Sequence, residues 1–516
     1  LGDADDVFVV SGDVSVSEAQ SIQSLGGYNA SGSTYEIEDS AANITASTDT
    51  LMQNGTIKVD VTDTDVNASI GNTLAAFTAD IEFDVSDTAA NIAAQIAAGN
   101  GTNGTGYGAD SLEDAGSVVV ESGSAVLASQ AESIQDLANY SGGDIDITDS
   151  AANLISAGDH VLNVTGVDHI TTTEATVGAS DGALLGAFTA DVHFDVADTA
   201  ANIAAEVMGA NSATDLDEAL SVVVQSGDAV SVAEAAAIQG ISGYVGTMSD
   251  IDITDDAAAL ISAGDAVLSV TGVDTVTVNA AGTGSTVTAQ DGAILAGFTA
   301  DVEFDVVDDV SDLKAIMGQN DAASYLTEAN SITVDNGSGD RVVGAQDGAI
   351  LASFTADVDF DVVATADEIA AELTGSIAPG TGVNSLDEAA DVVVSGGDVD
   401  AEDAAAIMQI SGYNTGGSQF EITDDVASVI SAGTGVIENG GVSKVEVTGV
   451  ADVSEGVALN TYTSNVEFDV SGTADDIFAE VNNLGDADDV FVVSGDVSIS
   501  EAQSLQALGG YNAGGS

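Results

Sequence analysis

Hydrophobic and polar residues alternate in one nine-residue string that recurs along the chain. In the copy at 298–306, one face carries Phe298, Ala300, Val302, Phe304 and Val306. Polar residues lie between them, and a period of two predicts a strand with one buried face. Related strings begin at Phe77, Phe188, Phe354 and Tyr462.

Short runs with helical spacing follow these strings. In DTAANIAAEV, an aspartate precedes apolar residues that recur every three to four positions. A carboxylate in that place accepts hydrogen bonds from the free amides of a first helical turn. We therefore predict helix starts at Asp39, Asp87, Asp149, Asp198, Asp255 and Asp424. Glycine ends several runs, as in ISAG at 261–264 and 430–433.

The chain repeats itself at two scales. Residues 1–33 recur at 484–516 with four substitutions, which sets a long period of 483 residues. Since a chain that ends by starting again is typical of a longer array, we expect an internal fragment that continues beyond both ends. The shorter period is about 110 residues, the size of one module. The predicted modules are 1–75 (partial), 76–187, 188–297, a half module at 298–353, 354–461, and 462–516 as the start of the next module.

The spacing of the strands indicates the fold class. Strand-like centres fall about every 27 residues, and strand–helix units that return in the same direction give a parallel sheet covered by helices. We predict an α/β fold in which these units form an elongated parallel-sheet solenoid, extending about 85 Å per long period at about 4.8 Å per strand. Tandem small α/β domains are the alternative. No proline-rich linker separates the modules, which favours the solenoid.

Charge excludes some partners. The chain has 86 Asp and Glu against 4 Lys and Arg, a formal net charge of -82. Nucleic acid is excluded as a partner, because phosphate binding needs cationic side chains, and anionic membrane surfaces are disfavoured for the same reason. No apolar run is long enough for membrane insertion. Hydrophobic residues make up 45% of the chain, so it can bury a core despite its charge.

Acidic ladders are the candidate binding site. If equivalent strands stack, their outward face brings carboxylates together, and these repel one another unless cations screen them. The candidate ligands are Asp80, Glu82, Asp84, Asp191, Asp195, Asp301, Glu303, Asp305, Asp144, Asp146, Asp250 and Asp252. Calcium suits carboxylates combined with carbonyls from glycine-rich turns. An acidic face screened by bulk salt is the alternative, since neither an EF-hand loop nor a β-roll nonapeptide is present.

Other polar residues favour structural roles over catalysis. The histidines, His160, His169 and His193, have no counterparts at matching positions, and no GxSxG string follows a strand. We therefore predict no enzyme. Tyrosine ends each AxxIQ-type string and is interpreted as a plug over a small-residue core, with contact to carbohydrate as the alternative. Asn43, Asn91, Asn153 and Asn202 are predicted to form a buried ladder that satisfies turn amides.

The strings SDTAANI (86–92) and TDSAANL (148–154), joined to VSVAEAAAIQ-type strings, resemble the repeats of giant bacterial surface proteins. These are very large secreted proteins of adhesin, S-layer-associated or swimming-protein type, often exported by type I systems and dependent on Ca²⁺. The resemblance implies an extracellular or cell-surface location, and self-association or contact with neighbouring repeats. It identifies no functional residue.

Three functions are compatible with these observations. We favour the structural repeat region of an acidic extracellular fibre or cell-surface protein, stabilised by divalent cations. The stalk of a large adhesin, with cell-surface carbohydrate as a partner of the whole protein, is the alternative. A carbohydrate-active solenoid enzyme is less favoured, because such a site needs paired carboxylates in a cleft with groups that hold sugar.

Overall fold

The structure, a computed structural model, describes residues 4–99, 110–209, 216–279, 284–317, 326–353, 356–375 and 386–516. The chain divides into two compact units. The first consists of Leu1–Asp252 with Val270–Asp274, and the second of Ile253–Ser269 with Thr275–Ser516. Phe354, the predicted start of one strand string, and Pro379 lie outside the described residues.

Short strands and short helices alternate along both units. The strands are Asp13–Val14, Tyr35–Asp39, Thr56–Val61, Ile81–Glu82, Val85–Thr88, Val118–Glu121, Tyr140–Gly143, Ile145–Asp149, Val167–Thr172, Val192–His193, Asp195–Thr199, Ser221–Gln225, Ile251–Asp255, Val273–Val278, Thr286–Val287, Val302–Glu303, Asp305–Asp308, Ser331–Val334, Val342–Val343, Val358–Asp359, Asp361–Ala364, Asp391–Val394, Asp398–Val399, Phe420–Asp425, Val442–Ala451, Val466–Thr473 and Asp489–Ser494.

The α-helices are Val16–Gln23, Ala41–Thr45, Asp49–Gln53, Ala68–Ala75, Ala89–Gly99, Asp110–Glu113, Ala128–Gln135, Ala151–Ala157, Asp159–Leu162, Ala179–Gly186, Ala200–Met208, Val232–Gln239, Ala257–Ala263, Asp265–Leu268, Ala289–Leu295, Val310–Met317, Ala345–Ala352, Ala366–Gly375, Ala401–Ile407, Val426–Ala432, Thr434–Ile437, Val453–Leu459, Ala474–Ala479 and Ile499–Leu505. Short 3₁₀ turns are Ala30–Gly32, Leu216–Glu218, Gly246–Met248, Leu326–Glu328 and Val481–Asn483.

Parallel pairing between successive strands is the rule in both units. In the first unit, Tyr35–Asp39 lies between Asp13–Val14 and Thr56–Val61. In the second unit, Val442–Ala451 lies between Phe420–Asp425 and Val466–Thr473. We call one strand with the helix that follows it a coil. The mixed α/β class with parallel sheets is confirmed.

The core is built from alternating strand residues and small helix residues. Phe304 and Val306 are buried in the strand string at 298–306, while Asp301 and Glu303 are exposed, so the predicted face is confirmed there. Helices approach the strands closely through glycine. A Cβ on Gly292 would lie 2.9 Å from the side chain of Val306, which is too close for any other residue to fit without movement.

The predicted nine-residue strand is shorter than expected. Phe298–Asp301 precede the strand in a turn, and the strand itself divides into Val302–Glu303 and Asp305–Asp308. The first half pairs with Val273–Val278, whereas the second pairs with Thr286–Val287 and Ser331–Val334. The division occurs because the two halves have different partners, which the alternation of residues does not encode.

The predicted helix-start aspartates lie one residue before the true N-cap. Ser40, Ser150 and Asp425 cap their helices, because their side chains accept from the third residue of each helix. The preceding aspartate instead accepts from the first amide of the helix in the preceding coil, at 2.9–3.0 Å. We call Asp39, Asp87, Asp149, Asp198, Asp308 and Asp424 the bridging aspartates, since each joins two coils.

The predicted asparagines also join this arrangement, but they are exposed and form no buried ladder. Asn43 donates its amide to Asp39 at 2.7 Å, and Asn153 does the same to Asp149 at 2.8 Å. Burial alone would raise the pKa of Asp39, but the hydrogen bonds from Asn43 and from backbone amides hold it below its usual value. The asparagines thus orient the bridging carboxylates.

Candidate functional site

Three carboxylates of the first unit lie together near the starts of two strands. Asp250 and Asp252 flank the buried Ile251, so the strand period places both on its outer side. Asp274, at the start of the following strand, adds a third carboxylate, and the ligand oxygens of all three lie within 4.8 Å of one another. The sequence predicted Asp250 and Asp252 but missed Asp274. Asp274 could have been found from the TGVD string, whose last two residues begin each such strand.

The same three positions one module earlier are also aspartates, although in the described part of the chain their oxygens do not all lie within 4.8 Å of one another. Asp144, Asp146 and Asp168 occupy the same positions of the DIDITD and TGVD strings. Partial removal from water, followed by repulsion from Asp168 and Asp146, raises the pKa of Asp144. One buried oxygen of Asp146, Oδ1, has no hydrogen-bond partner in the described part of the chain. We call these two sets of three the aspartate triads.

The remaining predicted ligands do not form such sets among the described residues. Their strands, Ile81–Glu82, Val192–His193 and Val302–Glu303, lie in three separate sheets, so the three copies do not stack as one ladder. Asp80, Asp191 and Asp301 are exposed. Four of the others accept hydrogen bonds from serine or threonine. Asp84 accepts from Ser117 at 2.7 Å and Asp195 from Ser221 at 2.5 Å, while Asp305 accepts from Ser285 and Ser331 and Glu303 from Thr277.

In two other coils, a lysine lies on the outer face of the strand and contacts two carboxylates. Lys58 contacts Asp60 at 2.9 Å in its own strand and Glu82 at 2.6 Å in the next. Hydrogen bonds to Glu82 and then Asp60 raise the pKa of Lys58, so it stays charged. Lys444 repeats the pattern, with Glu446 at 3.1 Å and Glu467 at 2.6 Å. We call the coils with strands Thr56–Val61 and Val442–Ala451 the lysine coils.

The lysine coils and the aspartate triads occupy equivalent places. In strand register, Lys58, Lys444 and His169 lie opposite Glu36, Glu421 and Asp146. By alignment of the strings, Thr275 fills this place in the fourth copy. Where His169 stands in place of the lysine, Asp60 and Glu82 are replaced by Thr171 and His193. Where Thr275 does, Asp60 is replaced by Thr277, but Glu82 remains a glutamate, Glu303. The charge on the outer face therefore differs from coil to coil.

The other cations also join neighbouring coils. Arg341 contacts Asp359 at 2.5 Å and Asp361 at 3.5 Å. Lys314, in helix Val310–Met317, pairs with Asp347 of helix Ala345–Ala352. All four Lys and Arg residues of the chain are thus used in ion pairs.

A third acidic set has a structural explanation. The oxygens of Asp308, Asp309 and Asp312 also lie within 4.8 Å of one another. However, Asp308 is a bridging aspartate, and Asp309 accepts from the Asp312 amide at 2.9 Å at a helix start. Repulsion from Asp309 and then Asp308 raises the pKa of Asp312. These hydrogen bonds account for the grouping, which the sequence reasoning had not identified.

The histidines lie on the surface beside carboxylates. His160 is 3.7 Å from Glu132, and His193 is 3.8 Å from Asp191. The rings of His169 and His193 have centroids 6.4 Å apart, which places both in the outer face of adjacent strands. None of the three has a hydrogen-bonded serine or threonine as a nucleophile among the described residues.

The repeated tyrosines have the position expected of plugs. Each ring is half-buried, and the hydroxyls of Tyr28, Tyr140, Tyr244 and Tyr413 reach the next coil. Tyr28 donates to Asn54 O at 2.5 Å, and Tyr244 to Thr271 O at 3.1 Å. A glycine lies directly beneath each hydroxyl, at Gly55, Gly166, Gly272 and Gly441. A Cβ at any of these would collide with the tyrosine oxygen.

Comparison with known proteins adds little to this geometry. No family model matches the chain, and no curated protein matches it either. A solved structure that it resembles is that of the Arabidopsis receptor kinase HAESA in complex with the peptide hormone IDA and the co-receptor SERK1. That match has 10% identity and a TM-score of 0.16, and covers 94% of this chain and 78% of the other. It carries no argument about the fold. Within the described ranges, no helix has the length and apolar character to cross a membrane.

Proposed function

We propose that the chain is the structural repeat region of an acidic extracellular fibre or cell-surface protein, in which the coils stack as one continuous parallel-sheet solenoid. The observation that carries this proposal is the set of bridging aspartates. At six described places, a carboxylate holds the first helical amide of the preceding coil. Repeat proteins derive their stability from such contacts between neighbours.

The extracellular location is supported by the resemblance of the AAN strings and by the charge. A formal net charge of -82 favours repulsion between molecules and keeps a long chain from associating without specificity. Electron microscopy of the native source with an antibody against this chain tests the location. Label on the cell surface or on external filaments is expected, and label confined to the cytoplasm would contradict it.

Scattering tests the solenoid. We expect small-angle X-ray scattering of the full chain to report one extended particle whose length grows by about 85 Å per 483 residues, because strands are spaced about 4.8 Å apart. A particle whose dimensions correspond to separate domains joined by flexible segments would contradict the continuous solenoid.

Divalent cations are the second part of the proposal. The aspartate triads offer only oxygen ligands, which suit Ca²⁺, and the lysine coils carry an ammonium group at the strand position that Thr275 fills beside one of the triads. We propose that Ca²⁺ serves in the triads as lysine does in the lysine coils. Binding at about 100 times the dissociation constant would stabilise the fold by about 2.7 kcal/mol.

Thermal unfolding in chelator at low ionic strength tests this part. Adding Ca²⁺ is expected to raise the melting temperature more than Na⁺ of equal ionic strength. The triple variant Asp250→Asn, Asp252→Asn, Asp274→Asn should reduce that response. The matched control, Asp80→Asn, Asp191→Asn, Asp301→Asn, removes the same charge from exposed positions outside the triads. An equal loss of response in both variants would indicate bulk screening and contradict calcium sites.

A further inference from the structure

Two of the three histidines of the chain lie on adjacent strands of the first unit. His169 belongs to Val167–Thr172 and His193 to Val192–His193, and these strands pair in parallel. His193 is opposite Thr171, two residues beyond His169, so the strand period places both imidazole rings on one face. His169 is exposed and the side chain of His193 is 42% exposed, so this face is the outer one.

The same two strand positions hold an ion pair in the lysine coils. Lys58 contacts Glu82 at 2.6 Å across two adjacent strands, and the other lysine coil repeats this contact at the same distance. In strand register, His169 takes the place of the lysine and His193 that of the glutamate. Side chains at these positions therefore reach one another across the strands, and here both carry ring nitrogens.

The distance between the two rings suits one shared metal ion. Their centroids lie 6.4 Å apart, with the ring planes tilted by 39°. A zinc ion lies about 2.0–2.1 Å from each ligating nitrogen and so about 3.2 Å from each centroid, which puts two rings on one ion about 5–6.5 Å apart. A tetrahedral angle at the metal requires the rings to approach by about 1 Å. Side-chain rotation at an exposed surface allows that movement.

Carboxylates lie on both sides of the two rings. Asp191 Oδ2 is 3.8 Å from His193 Nε2, near the value of about 3.3 Å that separates two atoms bound to one tetrahedral zinc ion. On the other side, Asp146 is opposite His169 in strand register. Burial raises the pKa of Asp144, and the nearby His169 acts against that shift. Nitrogen and oxygen ligands are therefore both within reach of one ion.

We propose that His169, His193 and Asp191 bind a divalent transition-metal ion, for which zinc is the probe. Imidazole nitrogen is a preferred ligand of zinc, copper and nickel, whereas calcium takes oxygen ligands. The site thus differs in chemistry from the calcium sites proposed for the aspartate triads. A bound ion would join two neighbouring coils, as the lysine–glutamate pairs do in the lysine coils. The proposal goes beyond the structural role, since it needs only two paired strands and the segment before the second.

Zinc titration of the full chain in excess Ca²⁺ tests the site, because calcium competes for oxygen ligands and leaves nitrogen ligands free. Isothermal titration calorimetry is expected to show one zinc ion bound per chain. His169→Gln and His193→Gln should each weaken this binding at least about tenfold, because each removes one nitrogen ligand. The double variant should bind no more weakly than a chain without the site, so its heat gives the background from the acidic surface.

His160→Gln is the matched control. His160 also lies on the surface beside a carboxylate, 3.7 Å from Glu132, but its ring is not paired with a second imidazole among the described residues. This variant should bind zinc as tightly as the native chain. Its substitution removes an imidazole from the same unit without touching the proposed ligands.

Histidine-selective NMR identifies the ligands directly, since the chain has three histidines. One equivalent of zinc should shift the imidazole signals of His169 and His193 together and leave the signal of His160 in place. The single variants assign the three signals. Equal shifts of all three, or native zinc affinity in both His169→Gln and His193→Gln, would overturn the proposal and assign zinc to the acidic surface in general.

The metal site and the structural role can fail separately. Circular dichroism of the same samples reports whether the coils remain folded. A folded native chain that binds no zinc in excess Ca²⁺ would contradict the metal site and leave the repeat function unaffected.

Discussion

The lysine coils and the aspartate triads carry opposite charges on the outer face of the sheet. In a lysine coil, Lys444 sits between Glu446 and Glu467, so the cation is part of the chain. In the triad of Asp250, Asp252 and Asp274, three carboxylates lie together, and Thr275 occupies the position of the lysine. The strands, pairing direction and buried residues are otherwise alike. The backbone therefore does not determine the outer charge, because the same fold carries a lysine in one class of coil and a group of carboxylates in the other.

The largest expected effect comes from the glycine beneath the tyrosine, whose backbone conformation differs between the coils of Tyr244 and Tyr413. Gly272, which precedes Asp274 of one triad, has a φ of +104°. Gly441, which precedes Lys444, does not have a left-handed φ. Gly272→Ala should destabilise by about 2–4 kcal/mol through strain and collision. Gly441→Ala should cost about 1–3 kcal/mol through collision alone.

Removing the tyrosine hydroxyl separates these causes. Urea unfolding of Gly441→Ala with Tyr413→Phe should recover most of the loss, because the collision is with that oxygen. The same rescue by Tyr244→Phe should leave Gly272→Ala strained. Equal rescue in both coils would show that backbone conformation does not distinguish them.

A second prediction converts a triad into a lysine coil. Thr275→Lys places an ammonium opposite Asp252, as Lys444 lies opposite Glu421. In chelator, the melting temperature should rise, and the Ca²⁺ response should fall, because the fixed charge replaces the bound cation. Thr275→Met, which has similar length without charge, is the control and should leave the Ca²⁺ response in place.

The reverse conversion should have a smaller effect, since these side chains are partly exposed. Lys444→Met leaves Glu446 and Glu467 facing one another without a partner. The melting temperature should fall at low salt, and the fall should shrink in about 0.5 M NaCl as repulsion is screened. A decrease that is independent of salt would assign the lysine a packing role.

The smallest effect is expected in acid, where the two kinds of aspartate have opposite signs. The pKa of Asp39 lies below 3.8, so its stabilisation is complete above that pH and is lost as pH falls through the lower, folded value. The pKa of Asp144 lies above 3.8, so its ionised form destabilises the fold, and stability rises as pH falls through the raised value.

Chemical denaturation between pH 3 and 6 of Asp39→Asn and Asp144→Asn checks these signs. Asp39→Asn should flatten the acid loss of stability, whereas Asp144→Asn should remove a gain. The same change in slope for both variants would contradict the assignment.

Sequence alone predicted the faces of the strands better than their partners. Val302, Phe304 and Val306 are buried because a period of two is a local property of the chain. The division of that strand at Phe304 depends on two different neighbouring strands, which no local pattern encodes. The helix starts were off by one residue because each aspartate is followed by a second residue that can cap a helix, namely serine, threonine or aspartate. The bridging role of the first depends on the preceding coil.

The candidate site was also predicted only in part, because its residues lie on different strands. Asp250 and Asp252 were predicted because both lie in one alternating string, whereas Asp274 lies on another strand and joins them only through parallel pairing. The predicted ladder of Asp80, Asp191 and Asp301 failed to assemble because a module contributes several strands, so equivalent residues lie in separate sheets. Register between strands is the information that a single sequence lacked.

The placement of the four basic residues has a consequence for digestion. Trypsin-like proteases cut after Lys or Arg and need that residue in an open, extended segment that can enter their cleft. Here Lys58 and Lys444 lie in central strands, Lys314 lies in a helix, and every basic side chain is held by a carboxylate. Since nicking favours loose, exposed loops, the folded chain should resist such enzymes at the three lysines, and Arg341, which lies outside the strands and helices, should be cut first. Even complete cleavage would release one piece, between Lys58 and Lys314, that spans about half of its length.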